Sequence, residues 1–287
     1  MLIAGPTASG KSVLALEVAR LHGGAVVNCD SMQVYRELRI VTARPDAADL
    51  AVAPHHLYGH VPAAIAYSAA AYVGEAATVL RRLRKESRLA VVVGGTGLYF
   101  RALEGGLSPM PDIDPAIRAK WRALADEQPE RLHGELARRD PAAAARLLPG
   151  DRQRLVRALE VIASTGRSIL DLQSRSSGRN LLAGMKLVRI LIDPPRPLLR
   201  QRIEKRFDRM LASGALGEVA ALAALALPDA LPAMRAIGVR EIAAHLGGRI
   251  TLDEARQRGI DATAQYAKRQ STWFRNQLTS DWLSFFP

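Results

Sequence analysis

Residues Gly5-Pro6-Thr7-Ala8-Ser9-Gly10-Lys11-Ser12 read G-x-x-x-x-G-K-[ST]. In that pattern backbone N–H groups surround phosphate oxygens, the lysine reaches the terminal phosphates, and the last hydroxyl can hold Mg2+. The flanks agree. An apolar segment, Met1-Leu2-Ile3-Ala4, leads in, and Val13, Leu14, Leu16, Glu17, Val18 and Leu21 lead out with helical spacing. A strand delivers the chain into the loop, and a helix N-terminus then faces the anion. Binding of a phosphorylated molecule is expected. The loop alone does not say which one.

Outward from the loop, the first ~110 residues alternate between strand and helix patterns. Residues 25–28 are a short apolar strand ending at Cys29-Asp30. Ser68 is placed to cap a helix from Ala69 to Lys85, with Ala70, Val73, Ala77, Leu80 and Leu83 on one stripe. Leu89-Ala90-Val91-Val92-Val93 is a continuous apolar run, as a strand buried on both faces of a parallel sheet requires. It enters Gly94-Gly95-Thr96-Gly97 and then a helix over 98–103. The texture changes at Pro109-Met110-Pro111. Helices are predicted at 115–125, 129–139, 141–148 and 152–165, several opened by proline, and 174–180 reads as a mobile loop. Strand character returns at 187–192 and stops at Asp193-Pro194-Pro195. A helix over 196–213 carries a buried stripe of Leu199, Ile203, Phe207 and Met210, and a long helical pattern runs from about 252 to 278. The expected fold class is α/β: a P-loop NTPase-like parallel sheet core with an all-helical insertion domain. The core is expected at 1–114 and, with C-terminal helices, at 185–287, and the insertion at 115–184.

Composition narrows the partners. Within 287 residues, 40 Lys and Arg oppose 28 Asp and Glu, a net charge of +12. That is high for an enzyme of small metabolites and points to a polyanion, nucleic acid being the commonest. No apolar run is long enough to span a membrane, and no signal-peptide pattern precedes Gly5. With a single cysteine, Cys29, no internal disulfide forms. A cytoplasmic protein without membrane contact is expected.

Several residues are candidates for chemistry. Asp30 follows a strand of the sheet that carries the phosphate loop, where ligands of open α/β sheets bind. It can hold Mg2+ through water, take a proton from a nucleophile, or simply cap a turn before Ser31. Thr96 lies in a glycine turn beyond another strand end, where backbone approaches a ligand closely or merely turns tightly. Arg206 can clamp phosphate with its guanidinium fork, although Glu204 and Asp208 beside it suit a solvated helix face. Two basic clusters, Gln153-Arg154-Leu155-Val156-Arg157 and residues 268–275 with Trp273 and Phe274, could position nucleic acid. The aromatics equally suit core packing, since Phe274 and Leu278 have core spacing. His55 and His56 lack partners at zinc-ligand spacing, and Cys29 lacks a local base.

Together these motifs resemble the bacterial tRNA dimethylallyltransferases, the tRNA isopentenyltransferase family. The matching segments are GPTASGKS (5–12), DSMQVYR (30–36), TARP (42–45), PHHL (54–57), GGTGLYF (94–100), QRLVRALEV (153–161), QRIEKRFDRM (201–210), PAMRAIGVRE (232–241) and YAKRQSTWFR (266–275). In that family, N6 of the tRNA adenine just 3′ of the anticodon displaces diphosphate from dimethylallyl diphosphate. The resemblance implies that Gly5 to Ser12 hold the diphosphate, that Ser12 holds Mg2+, and that Asp30 is the base. Thr96 then sits near the reacting centre, and Arg206 clamps the leaving group. It carries tRNA contacts onto Asp30, Ser31, Met32, Gln33, Thr96, Arg118, Gln153, Arg154, Leu155, Val156, Arg157, Arg235, Ala236, Ile237, Gly238, Val239 and Arg240. The insertion would grip the anticodon stem-loop of a tRNA bound by a monomer. The chain departs from the family pattern at Glu37-Leu38-Arg39-Ile40-Val41, at Arg44 and at Tyr58-Gly59. The rivals are a P-loop small-molecule kinase using ATP, which needs no tRNA, and a nucleotide-gated RNA-binding module, in which Asp30 is dispensable.

Overall fold

The computed structural model describes residues 1–108, 110–175 and 180–286. β1 (Leu2–Ala4) leads through the phosphate loop into α1 (Lys11–Leu21). β2 (Ala25–Asn28), α2 (Ala47–Val52), β3 (His55–His56), α3 (Ala69–Lys85), β4 (Ala90–Gly94) and α4 (Gly97–Leu103) follow. Then come the helices α5 (Pro115–Glu127), α6 (Arg131–Arg139), α7 (Pro141–Ala144), α8 (Arg152–Thr165) and α9 (Ile169–Arg175). The chain returns with β5 (Arg189–Ile192), α10 (Arg196–Ala212), α11 (Ala215–Ala224), α12 (Val239–Leu246), α13 (Leu252–Gln277) and β6 (Leu283–Phe285). The sheet is six-stranded, in the order β3-β2-β4-β1-β5-β6, and every recorded pairing is parallel. β1 therefore lies inside the sheet, flanked by β4 and β5, and the phosphate loop leaves from its carboxyl end.

Two compact units make up the chain: Met1–Phe100 with Leu182–Pro287, and Arg101–Leu181. The helical unit thus starts earlier than the expected 115. Its ends explain why: the Leu181 N–H donates to the Leu103 carbonyl at 2.9 Å, and Ile113 already belongs to its core. That core packs Trp121, Leu132, Leu136, Leu155 and Leu159 between helices opened by Asp114, Asp140 and Asp151 as N-caps. Of the expected mobile loop, residues 174 and 175 end α9, and 176–179 lie outside the described residues.

In the α/β unit one core lies under the sheet strands and α1, built on Ile3, Ala15, Ala19, Val26, Val91, Val93 and Ile192. A second gathers Val34, Tyr35, Leu38, Ile203, Phe207, Met210, Val239, Ile242 and Ile260. The α10 stripe is buried as expected. The α3 stripe holds only in part: Leu80 and Leu83 are buried as expected, but Tyr72 and Ala76 join them, while Val73 and Ala77 are part-exposed and Ala70 is exposed. Tyr72 decides the rotation. Its ring is fully buried and stacks on Tyr99 at 4.0 Å and 10°, and burying an aromatic outweighs turning alanines outward. On α1 the small residues Ala15 and Ala19 face inward, while Val13 is 76% exposed.

Candidate active site

The phosphate loop is shaped by two left-handed residues, Ala8 (φ 62°) and Gly10 (φ 95°). That alternation turns successive N–H groups toward one concavity, an anion nest at the start of α1. Lys11 Nζ donates to the Pro6 carbonyl at 3.0 Å. Burial lowers its pKa to about 8; the Asp30 carboxylate opposes the shift and Arg206 adds to it. Two arginines of α10 reach the loop. Arg206 Nη1 donates to Thr7 Oγ1 at 3.0 Å and Nη2 to the Thr42 carbonyl at 3.1 Å; Arg202 Nη1 donates to the Ser9 carbonyl at 3.1 Å. They lie four residues apart and so share one helix face. Burial pushes the Arg206 pKa down, Asp30 opposing and Arg209 adding. The Lys11 and Arg206 cations and the Asp30 carboxylate therefore converge on one region.

Asp30 leaves β2 into a turn. Its Oδ1 accepts the Met32 N–H at 2.9 Å, and its own N–H donates to Asn28 Oδ1 at 2.9 Å. Among the described residues nothing donates to Oδ2, so the turn role leaves one carboxylate oxygen available. Thr96 Oγ1 accepts the Ser31 N–H at 2.9 Å and donates to Ser31 Oγ at 3.2 Å. The turns after β2 and β4 are thus tied together, and they touch closely: a Cβ on Gly94 would lie 1.9 Å from the Cys29 carbonyl oxygen. Gln33 Nε2 donates to the Thr42 and Ala43 carbonyls at 2.9 and 3.0 Å. Asp30, Ser31, Met32, Gln33 and Thr96 are all part-exposed.

Two residues of α13 complete this site, and sequence reading passed over both. Gln270 bridges Thr7 and Gly95. Tyr266, one turn earlier, lies near Asp30 and beside Thr96 and Gln270. Burial first, and the Asp30 charge second, raise its pKa, so it stays protonated. The available signal was their four-residue spacing within YAKRQSTWFR, which puts both on one helix face.

The residue set fits a Mg2+ bound with diphosphate. Ser12 is exposed at the first turn of α1, and the buried Ser9 Oγ of the same loop has no protein partner. Among the described residues no three His, Cys, Asp or Glu cluster as a protein cage would need. A hydrated Mg2+ carried by phosphate oxygens and one hydroxyl requires no such cage.

The remaining candidates divide by exposure. Arg118, Gln153 and Arg154 are exposed, and Val156 and Arg157 part-exposed, all within the helical unit. Leu155 is fully buried there, and Ala236, Gly238 and Val239 are buried in the α/β unit. The Leu155, Ala236 and Val239 side chains fill cores, which leaves the neighbouring Arg154, Arg157, Arg235 and Arg240 as the side chains that reach solvent. Arg235 and Arg240 are exposed, Ile237 part-exposed. His55 and His56 form an edge strand, and Cys29 is buried with its thiol pKa raised by burial.

Known proteins are similar to this chain along its length. A family model described as IPP transferase matches residues 33–277, and one described as isopentenyl transferase matches residues 1–56. A tRNA dimethylallyltransferase of Rhizobium leguminosarum bv. trifolii is 54% identical over 283 residues, covering 98% of this chain and 95% of its own. That of Rhizobium meliloti is 52% identical over 283 residues, covering 98% and 93%. Among solved structures, the tRNA isopentenylpyrophosphate transferase of Bacillus halodurans superposes with a TM-score of 0.70 at 33% identity, covering 99% of this chain and 88% of that one. A eukaryotic dimethylallyltransferase acting on tRNA superposes with a TM-score of 0.83 at 26% identity, covering 99% and 73%. With half of its sequence shared along nearly its whole length, the chain belongs to the tRNA dimethylallyltransferase family of IPP transferases.

Proposed function

We propose that this chain transfers the dimethylallyl group from dimethylallyl diphosphate to N6 of the tRNA adenosine immediately 3′ of the anticodon, releasing diphosphate. The observation that carries the reading is the convergence of one carboxylate with two phosphate-directed cations: Asp30 acts on both Lys11 and Arg206. A base placed beside a leaving-group site is what alkylation of a weak nucleophile needs. The N6 lone pair is delocalised into the adenine ring, so proton removal as the C–N bond forms lowers the barrier.

The N6 nitrogen attacks the allylic carbon, and the C–O bond to diphosphate breaks. The N6 proton passes to Asp30 Oδ2, while Oδ1 stays fixed by the Met32 N–H. Positive character grows on the allyl group and negative charge on diphosphate. Lys11, Arg206 and the loop amides stabilise that charge as it develops. Ser12 would hold a Mg2+ ion bound with the diphosphate, and that ion would supply further charge neutralisation to the leaving group. Thr96 holds the Ser31 turn beside Asp30. The target base leaves its stack to reach this point, so base flipping is part of the reading. The helical unit, with Arg118, Arg154 and Arg157, is assigned to the anticodon stem-loop. The active species is a cytoplasmic monomer.

The kinase alternative is not favoured, because the relatives along the whole chain are prenyl transferases to tRNA. The test supplies purified protein with labelled dimethylallyl diphosphate, Mg2+ and unmodified tRNA. Label in tRNA at the adenosine 3′ of the anticodon is the expected result. Unlabelled tRNA, together with ATP-dependent phosphorylation of a metabolite, would sink the proposal.

A further inference from the structure

One side chain reaches both halves of the site. Gln270 of α13 is buried, 6% exposed. Its Oε1 accepts the Thr7 N–H at 2.9 Å, and its Nε2 donates to the Gly95 carbonyl at 2.8 Å. The orientation of the carboxamide is dictated, since a backbone N–H only donates and a carbonyl only accepts. Thr7 belongs to the loop after β1, and Gly95 to the turn after β4. These strands are neighbours in register, with Ala4 beside Gly94. The carboxamide thus spans the gap just beyond two adjacent strand ends.

The approach is built into both partners. A Cβ at Gly95 would lie 2.2 Å from Gln270 Nε2, so the bridge requires a glycine there. Thr7 is held from a second side, because its hydroxyl accepts from Arg206. Its N–H, committed to Gln270, is withdrawn from phosphate. The consequences run both ways. On one side Thr7 sets the position of the phosphate loop and of the Arg206 fork. On the other, Gly95 precedes Thr96, which anchors Ser31 next to Asp30.

We propose that Gln270 is a positioning residue that holds the diphosphate subsite and the acceptor-base subsite in register. The proposal rests on the prenyl-transfer reading. A primary amide of this length serves both contacts at every pH. Leucine matches the volume without either bond, and ionised glutamate keeps the acceptor but loses the donor. Two reacting centres about 1 Å out of place can cost on the order of 100-fold in rate.

The experiment compares wild type, Gln270→Leu and Gln270→Glu, with thermal melting to establish that each is folded. Gln270→Leu is expected to lower kcat by at least roughly tenfold, to raise the Kd for inorganic pyrophosphate by a similar factor, and to leave the KM for tRNA within about twofold. In Gln270→Glu burial favours the protonated acid, whose O–H can donate to Gly95. Its kcat relative to wild type is therefore expected to climb as pH falls from about 8 to about 6, while the Gln270→Leu ratio stays flat. A folded Gln270→Leu with wild-type kcat and pyrophosphate affinity overturns the proposal. So does an equal, pH-independent loss in both variants. Should Gln270→Leu not fold, the pH profile of Gln270→Glu carries the test. Pyrophosphate binding is read without tRNA, so its weakening supports the bridge even where wild type transfers no prenyl group, a result that would remove the transfer reading alone.

Discussion

Asp30 combines two roles that a sequence presents as rivals. As a turn residue it accepts the Met32 N–H through Oδ1, and as a base it presents Oδ2. Fixing one oxygen orients the other. Asp30→Asn preserves the turn bond and removes the base. Single-turnover transfer is expected to slow by about 10²- to 10⁴-fold, while tRNA affinity by filter binding is retained. Near-normal turnover would take Asp30 out of that role. Lys11 supplies a pH dependence. Its pKa lies at about 8 before diphosphate arrives, and phosphate charge favours the ammonium form and raises it. Binding above that pH therefore takes up a proton. Pyrophosphate affinity is expected to be flat below pH 8 and to fall by up to about tenfold per pH unit above it. Calorimetry in buffers of different ionisation enthalpy detects the uptake, and flat affinity to pH 10 contradicts it.

At the scale of elements, α10 and α13 act as a pair. α10 supplies Arg202 and Arg206 to the phosphate loop, and α13 supplies Gln270. Their separation is set where Gly259 faces Phe207: a Cβ on Gly259 would lie 2.3 Å from that ring. Gly259→Val is expected to cost about 1–3 kcal/mol of stability in denaturant titrations. It should also lower transfer, because Phe207 follows Arg206 directly. The atypical stretch 37–41 is held by a different element. Glu218 of α11 accepts the Arg39, Ile40 and Val41 N–H groups at 2.7–2.9 Å, and Glu37 accepts the Ala63 N–H at 2.8 Å. Helices with caps and strong periodicity were legible in the sequence: α3 begins after Ser68 and α8 spans 152–165 as expected. The short edge strands β3 and β6 were not. His55–His56 and Leu283–Phe285 carry too few residues for a period, and pairing with β2 and β5 alone defines them.

For the whole molecule, charge is the operative quantity. A surplus of +12 makes affinity for a polyanion fall steeply with salt. Arg118 and Arg154 are exposed on the helical unit, and among the described residues Arg154 pairs with Asp151 at 3.3 Å. Arg118→Ala and Arg154→Ala are each expected to reduce the slope of log affinity against log salt by about 1, with folding intact. An unchanged slope would remove that residue from the tRNA interface. Arg157 is a poorer choice for this measurement. It pairs with the buried Glu160, so its loss destabilises as well as discharges.

The amino-acid sequence by itself determined the phosphate loop, the parallel α/β order, the helical insertion and the family. Each depends on local geometry: a glycine-lysine loop between strand and helix, buried apolar runs, proline and aspartate at helix starts. It also marked Asp30, Thr96 and Arg206 as candidates. Only the tertiary structure decided which of them meet. The contacts of Thr7 with Arg206 and with Gln270 join residues 199 and 263 positions apart, separations over which no periodicity operates. It also decided that Leu155, Ala236 and Val239 lie in cores beneath the arginines they adjoin. A motif names its residues, but which face of each is buried follows from what the rest of the chain packs against it.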